Sequence, residues 1–324
     1  MIEVVRQGLL TTIQDLGRMG YAHLGVARSG ALDVPALVAA NRLVGNPDGA
    51  SGLETTLTGV TVRAEVTTTM AVTGARAAVS VDGSAVEFGV SFPVPKGAVV
   101  DVGSAEVGVR SYVAFAGGIT VAPVLGSRST DTLSGLGPPP LRAGFVVPLG
   151  HPAVDQEQVV ADRGSGHARK PSIERDADEA AHAPTGKAGA GGAGGAAGDR
   201  GAASSGKRIE TKVVRVRLGP RHDWFNLTAR DVLFEGPYTV SVKSNRVGAR
   251  LAGPALARVN ATELPSEGIV LGAVQVPADG QPLVFLADHP TTGGYPVIAV
   301  VAVEDVPLVA QARPGTVVRF VPWI

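Results

Sequence analysis

Three short stretches of this chain bring hydroxyls, glycines and fixed cations close enough together to handle a small polar substrate. The first is Thr291-Thr292-Gly293-Gly294-Tyr295-Pro296, set between the apolar runs Leu283–Ala287 and Val297–Val303. A loop between two buried strands holds its side chains rigidly at a surface. Paired glycines let the backbone turn through positive φ or approach a ligand closely. Tyr295 adds a flat face and a hydroxyl, and Pro296 fixes the exit direction. The second stretch is Gly126-Ser127-Arg128-Ser129-Thr130-Asp131. Here Arg128 is suited to grip a carboxylate or phosphate in bidentate fashion, with Ser129 and Thr130 donating to the same anion. Asp131 serves as a base or orients a neighbour. The competing account of this stretch is an Arg–Asp pair that pins the loop while the hydroxyls satisfy backbone groups. The third stretch groups Ser241, Ser244, Arg246 and Arg250 into a basic, hydroxyl-bearing patch. Arg128, Asp131 and Thr292 are the expected catalytic groups. Ser129, Thr130, Thr291, Gly293, Gly294, Tyr295 and Arg246 are the expected substrate contacts, with Arg128 and the Thr291–Pro296 loop lining one cleft.

Other chemistries find no support. The six histidines, at positions 23, 151, 167, 182, 222 and 289, show no ligand spacing for a metal. His289, beside the hydroxyl loop, is the one to watch. No Gly-x-Ser-x-Gly elbow exists for serine hydrolysis, and Gly186-Lys187 is followed by Ala188 instead of the Ser or Thr of a phosphate loop. Biotin attachment is excluded because none of Met1, Met19 and Met70 neighbours a lysine. Cysteine is absent, which removes disulfides and thiolate chemistry. Lysine plus arginine equals aspartate plus glutamate at 29 each, so no bulk charge recruits nucleic acid or an anionic membrane. Neither a basic leader followed by an apolar core nor a membrane-length apolar run is visible, which makes the cytoplasm the expected location.

The elements that must position these groups read as short strands. The 324 residues are enough for two domains. Abundant Val with 43 Gly and 23 Pro favours strands and tight turns over long helices. Expected strands in the first domain are Thr67–Val72, Ala77–Val81, Val86–Phe88, Val99–Val102, Val107–Val109 and Tyr112–Ala116. In the second they are Val213–Leu218, Tyr238–Val242, Ile269–Val270, Leu283–Leu286, Val297–Val301 and Val317–Val321. One helix is expected over Val34–Leu43, with Asp33 as its N-cap and Gly45-Asn46-Pro47 as its stop. A short helix is expected to open at Asp223. Glu54 precedes a strand, as a structural or a cleft residue, and Asp15 is expected to pair with Arg18 in a tight turn. Between Thr185 and Gly206, 16 of 22 residues are Gly or Ala and none is large and apolar. Residues 156–211 therefore read as a disordered linker between domains 1–155 and 212–324.

Several motifs resemble a known family. Thr12-Ile-Gln-Asp-Leu-Gly-Arg-Met-Gly-Tyr21, Ser29-Gly-Ala-Leu-Asp33, Ala40-Asn-Arg-Leu-Val-Gly-Asn-Pro47, Leu53-Glu-Thr-Thr-Leu57, Ala116-Gly-Gly-Ile119, Gly126–Asp131, Gln275-Val-Pro277 and the Thr-Thr-Gly-Gly-Tyr-Pro loop are similar to the family once called allophanate hydrolase subunit 2. It is also known as the biotin-dependent carboxyltransferase family, and it includes the C subunit of ATP-dependent 5-oxoprolinase. The resemblance implies a mostly β fold of two cyclophilin-like β-barrel domains with a few short helices. It implies a B-subunit homologue, of the allophanate hydrolase subunit 1 type, as partner, with a lactam-hydrolase A subunit in the same complex. It further implies activation of the 5-oxoproline lactam with ATP, shared with the partner and accompanied by Mg, for hydrolysis to glutamate. A second implied reading moves a carboxyl group from carrier-borne biotin to urea or a related amide. A third is a non-catalytic regulatory binder. Departures from the family pattern stand at Val247, where methionine is usual, at Pro138-Pro139, where Gly-Arg is usual, and at Phe145, where an aspartate is usual. These bear on substrate preference.

Overall fold

The structure, a computed structural model, describes residues 1–152, 210–260 and 262–323. Most of the expected linker, residues 156–209, lies outside the described residues. The N-terminal half is built on a nine-stranded sheet. Its strands are β1 (Ile2–Arg6), β2 (Leu10–Gln14), β3 (Gly52–Thr56), β4 (Val60–Ala64), β5 (Thr68–Val81), β6 (Ser84–Val86), β7 (Ser91–Val94), β8 (Val99–Phe115) and β9 (Val146–Val147). The main path runs β2-β3-β8-β4-β1-β9, and β5 crosses it by pairing with β6, β7 and β8.

Two sets of expected strands each merge into one long strand. β5 unites Thr67–Val72 with Ala77–Val81, and β8 unites the three runs between Val99 and Ala116. The glycines that suggested turns are bulges instead. The β5–β8 register shifts between Gly74 and Arg76. Gly74 has φ of 81°, and a Cβ there would meet the Arg110 carbonyl at 2.5 Å. The bulge lets two long strands bend over the core without ending.

β8 is buried without interruption from Gly108 to Phe115. Its side chains divide with period two. Val113 and Phe115 join the sheet core with Ile13, Leu53 and Val72. Tyr112 and Ala114 face the other way, onto Leu37 and Ala40 of α1 (Val34–Leu43). This helix starts and stops as its sequence dictates. Asp33 Oδ1 accepts from Ala36 N at 3.1 Å, and Gly45 follows with φ of 73°.

The C-terminal half closes into a seven-stranded barrel. It comprises β10 (Thr211–Leu218), β11 (Tyr238–Val240), β12 (Gly248–Ala252), β14 (Ala273–Gln275), β15 (Leu283–Phe285), β17 (Val297–Val301) and β18 (Val317–Pro322), with β13 (Glu267–Gly268) and β16 (Thr292–Gly293) as a separate pair. The mostly β class with few short helices is borne out, as a closed barrel beside a half-barrel sheet. β15 and β17, which flank the hydroxyl loop, are not hairpin partners, because β14 lies between them. The expected strand Ile269–Val270 is displaced to β13, just before it in the chain. Two helices complete this half. α2 (Leu227–Glu235) is capped by the Asn226 side chain on Ala229 N at 2.7 Å, and α3 (Val306–Ala310) opens with Pro307. α2 begins four residues beyond the expected Asp223, where a short 3-10 turn, His222–Trp224, stands instead.

The barrel core packs Val214, Val274, Ile298 and Phe320 around Tyr238, with the Tyr238 and Phe320 rings tilted at 5.8 Å. Each such apolar side chain contributes about 1.5–3 kcal/mol by burial. Leu32 of the N-terminal half belongs to this same cluster. The two halves thus share core as well as surface. Among the described residues, no helix is long and apolar enough to cross a membrane.

Candidate functional site

Where the halves meet, a buried network of charges stands beside the shared apolar core. Glu54 sits at the centre of β3 and is 1% exposed, so the strand does not follow it but contains it. Arg246, 2% exposed, reaches Glu54 Oε1 across 192 residues of sequence through Nη1. Its Nε donates to Asp288 Oδ2 at 2.9 Å, and its Nη2 donates to Asp288 Oδ1 at 3.0 Å and to the Gly30 carbonyl at 2.7 Å. Glu54 Oε2 accepts from the Tyr112 hydroxyl at 2.7 Å and from Leu32 N at 3.0 Å. Asp288 is held in turn by Ser29 Oγ at 2.7 Å and by Thr132 N and Oγ1 at 2.9 and 2.7 Å. Every acceptor in this pairing is matched by a donor, which is the condition for burying ions at tolerable cost.

Electrostatics follow from that geometry. Burial by itself raises the Asp288 carboxyl, but Arg246 and the Thr132 donors outweigh it and hold the pKa below the ordinary aspartate value. Burial lifts the Tyr112 phenol well above its usual range, and the Glu54 carboxylate beside it adds to the effect. Asp33 is raised, chiefly by burial, with Gln311 opposing. Gln311 is the other cross-half clamp. Its Oε1 accepts from Val109 N and Arg110 N at 2.8 and 2.9 Å, and its Nε2 donates to Asp33 Oδ2 and to the Arg110 carbonyl, both at 2.9 Å.

Arg110 is the exception within this network. It is 6% exposed and donates from Nη1 to the Ala310 carbonyl, with Glu54 Oε1 3.7 Å from its Nε. Nε has no hydrogen-bond acceptor, and Nη2 donates to no atom of the described residues. Burial lowers its pKa, with Glu54 opposing. Arg110 and Arg246 both line a cavity of about 250 Å3, walled by Leu10, Leu57, Val309 and Ala312 and edged by Ser244 and Asn245. Asn245 Oδ1 accepts from Val247 N at 2.9 Å and Gly248 N at 3.3 Å, and its Nδ2 has no hydrogen-bond partner among the described residues. Leu57, in the wall, carries φ of 59°. A left-handed non-glycine residue is costly, and such strain clusters at functional sites.

A second cavity, of about 260 Å3, is lined by Arg28, Ser29, Leu32, Leu271, His289 and Glu304 with further apolar side chains. It joins the network through Ser29, whose φ is 54°.

The residues expected from sequence fall in three places. Arg246 lines the first cavity, with its guanidinium committed to Glu54, Asp288 and Gly30. The 126–131 loop is organised around Asp15, which is the partner the tight-turn expectation assigned to Arg18. Asp15 accepts from Ser127 Oγ at 2.7 Å, Ser129 Oγ at 2.5 Å and Arg128 N at 2.6 Å. Arg18 instead donates to the Ser129 carbonyl at 2.5 Å. Asp131, 1% exposed, folds its own loop by accepting from Leu133 N, Ser134 N and Ser134 Oγ. Ser129 and Thr130 are buried, the latter with no hydrogen-bond partner for Oγ1. Arg128 is half-buried, and its Nε donates to the Val121 carbonyl at 2.8 Å. Thr292, Gly294 and Tyr295 are exposed, and Thr291 is half-buried. Gly293 serves close approach, not positive φ, since a Cβ there would meet Gln275 Nε2 at 2.8 Å. Thr132 and Asp288, each just outside one of these loops, are hydrogen-bonded, but neither Arg128 nor Thr291–Tyr295 lines either cavity.

Residues 24–322 match the family model described as "Carboxyltransferase domain, subdomain A and B". The chain belongs to this family. It is 36% identical to the C subunit of 5-oxoprolinase of Escherichia coli K12, over 99% of this chain and 91% of that protein. It is 30% identical to urea amidolyase of Saccharomyces cerevisiae, over 99% of this chain and 16% of that protein. Among solved structures it is similar to the crystal structure of TTHA0988, at TM-score 0.75 and 34% identity, covering 99% of this chain and 55% of that one. It is also similar to the Kluyveromyces lactis urea amidolyase structure, at TM-score 0.78 and 26% identity, covering 100% of this chain and 19% of that one. The chain thus spans little over half of one of these structures and about a fifth of the other.

Within this carboxyltransferase-domain chain, sequence reasoning did not single out Arg110, Asp288 or Gln311. One signal for Arg110 was present. A charged residue inside the apolar run Val109–Phe115 has to find a partner, since an ion is not buried alone.

Proposed function

We propose that this chain acts as the C subunit of an ATP-dependent 5-oxoprolinase, paired with a B-subunit homologue and working alongside a lactam-hydrolase A subunit. The observation that supports this most directly is the underused Arg110 guanidinium at the floor of the first cavity. 5-Oxoproline has one carboxylate, one lactam and an edge of two methylenes. Arg110 Nη2 binds the carboxylate, Leu57 and Val309 pack the methylenes, and Asn245 Nδ2 donates to the lactam oxygen. That contact orients the oxygen toward the γ-phosphorus of ATP, which it attacks as ADP leaves, and fixed cationic donors stabilise the charge on the transferring phosphoryl. In this reading Arg128, with Nη1 and Nη2 left over after Val121, contacts phosphate. The exposed hydroxyls of Thr292 and Tyr295 complete that second wall together with the partner. ATP is a substrate shared with the B homologue. Among the described residues no three His, Asp or Glu side chains gather to hold a metal, so Mg2+ in this reading is carried by the nucleotide and the partner. The E. coli relative, named as the C subunit of 5-oxoprolinase, supports this assignment over nearly its whole length.

The test is reconstitution. With the B and A homologues, the chain should release glutamate from 5-oxoproline in an ATP-dependent manner, and alone it should not. Arg110→Met should reduce kcat/KM by about 30–1000-fold, the size of one lost charge-assisted contact of about 2–4 kcal/mol. Wild-type turnover in the Arg110→Met complex would overturn the assignment.

The similarity to urea amidolyases favours one alternative, a carboxyltransferase component that receives a carboxyl group from carrier-borne biotin. Carboxylation of urea by a mixture containing a biotin carboxylase and its biotinyl carrier, without 5-oxoproline turnover, would select it.

A further inference from the structure

The bulge that bends β8 also frees backbone groups, and one side chain of the C-terminal half takes them. Ser111 stands opposite Gly74 and Val107 opposite Arg76, so residues 108–110 of β8 face Ala75 alone on β5. Val109 N and Arg110 N both donate to a single oxygen, Gln311 Oε1, at 2.8 and 2.9 Å. Successive N–H groups beside a left-handed residue form a small concave cradle for an electronegative atom. Gly108 is that residue, with φ of 83°, and a Cβ there would meet Gln311 Oε1 at 2.9 Å. Gln311 Nε2 then donates to the Arg110 carbonyl and to Asp33 Oδ2, both at 2.9 Å. The preceding residue, Ala310, accepts from Arg110 Nη1. Two consecutive residues of one half thus hold Arg110 of the other at its N–H, its carbonyl and one arm of its guanidinium.

What they leave is the opposite edge. Nε–H and Nη2–H lie side by side on a guanidinium and make a two-pronged donor matched to a carboxylate. Nε has no acceptor, with Glu54 Oε1 at 3.7 Å, and Nη2 donates to no atom of the described residues. The cradle also selects glutamine by its chemistry. It asks for an acceptor toward two N–H groups and a donor toward a carbonyl and a carboxylate. Glutamate meets the first demand and opposes the second, and methionine meets neither.

We propose that Gln311 is the positioning residue of the Arg110 site, fixing that guanidinium so that its Nε–Nη2 edge is the one presented to a ligand. Gln311 acts through Arg110 and touches no ligand itself. The proposal rests on the reading of Arg110 as the carboxylate contact.

Two separate readouts test it. In the reconstituted complex at about pH 8, Gln311→Met and Gln311→Glu should each raise KM for 5-oxoproline about tenfold. kcat should change by less than about threefold, because a misplaced binding contact leaves the chemical step intact. Gln311→Glu sets a second carboxylate against Asp33, which Glu54 of β3 and Arg110 of β8 also face. Such a pair shares one proton with a raised pKa, so the donor is present in acid and lost as the pH rises. The KM of Gln311→Glu relative to wild type should therefore climb from about one near pH 5 to about tenfold near pH 8. The ratio for Gln311→Met should stay flat. Adding Asp33→Asn to Gln311→Glu returns a donor at every pH and still caps α1, so KM at about pH 8 should recover. Loss of stability alone produces no such pH dependence and no such recovery.

In the full chain alone, the NMR resonance of the Arg110 Nε–H, identified by its loss in Arg110→Lys, should shift in both Gln311 variants. Should Gln311→Met fail to fold, Gln311→Glu, which keeps both N–H contacts, carries both readouts. An unmoved resonance, a KM ratio for Gln311→Glu raised equally at every pH, or no recovery with Asp33→Asn would each overturn the proposal. A shifted resonance with wild-type KM would leave the hold of Gln311 on Arg110 standing and overturn the assignment of Arg110 to the substrate instead.

Discussion

The two cavities touch the same buried network yet spend their charge differently. In the Arg110 cavity both cations already face carboxylates, and what remains for a ligand is the part of one guanidinium that Glu54 and Ala310 do not use. In the Arg28 cavity the cation lies outside the network, while Ser29 and Leu32 of the wall donate to Asp288 and Glu54. The first cavity is thus built into the joint between halves, and any change to its floor is a change to stability as well. The second also spans the joint, with Ser29 and Leu32 of the N-terminal half facing Leu271, His289 and Val306 of the C-terminal half, but its cation takes no part in the network. Each has one left-handed non-glycine residue in its wall, Leu57 or Ser29. Left-handed geometry costs about 1–2 kcal/mol per residue, and at Ser29 the hydrogen bond to Asp288 offsets it.

The most severe test of this contrast is Arg246→Met. It leaves Glu54 and Asp288 buried without their cation, and the loss should be about 3–5 kcal/mol, read as a lower denaturant midpoint. Both halves should then unfold at a lower midpoint in one transition. Independent unfolding of the barrel, with the N-terminal sheet unaffected, would break the idea of a shared joint.

Acid is a gentler way to open the same joint. Asp288 has a folded pKa below the unfolded value near 3.8, so its contribution is present above that value and fades as the pH falls through the lower, folded pKa. The thermal midpoint should therefore decline as pH drops from about 4, and Asp288→Asn should be less stable at neutral pH with a flatter acid limb. An unchanged acid limb in that variant would assign the decline to other carboxylates.

The smallest effect is expected at Ser29→Gly, where two terms oppose. Relief of the left-handed backbone gains about 1–2 kcal/mol, and loss of a hydrogen bond to a carboxylate costs about 1.5–3 kcal/mol. The net change should be a destabilisation of about 1 kcal/mol by denaturant titration. A gain in stability would mean that the hydroxyl contributes little to Asp288.

Much of the local structure was legible in sequence. Asp33, Leu37, Ala40 and Gly45 specify α1 because cap, stripe and stop are all local signals. Val297–Val301 reads as a strand because five apolar residues follow a fixed turn. The β5 and β8 strands were split because Gly74, Gly103 and Gly108 resemble turn residues, and nothing local distinguishes a bulge from a turn. The network was illegible for a different reason. Glu54, Arg110, Arg246 and Asp288 are paired by topology across as many as 192 residues, and no spacing rule reaches that far. Arg246 was reached through the hydroxyls around it. The 126–131 loop was identified as a cluster, but the carboxylate that organises it, Asp15, lies more than a hundred residues upstream.

The way the barrel closes bears on how the protein is made. β10 runs parallel to β18, with Thr211 opposite Val317 and Val216 opposite Pro322. The N-terminal sheet, by contrast, has all nine of its strands once Val147 has been synthesised. During translation the sheet can therefore assemble while the barrel still lacks its closing strand, consistent with N-terminal units folding first. Until residue 322 emerges, Glu54 must wait in a formed strand for Arg246 to be fixed in place. The barrel is thus finished by docking against a template already present.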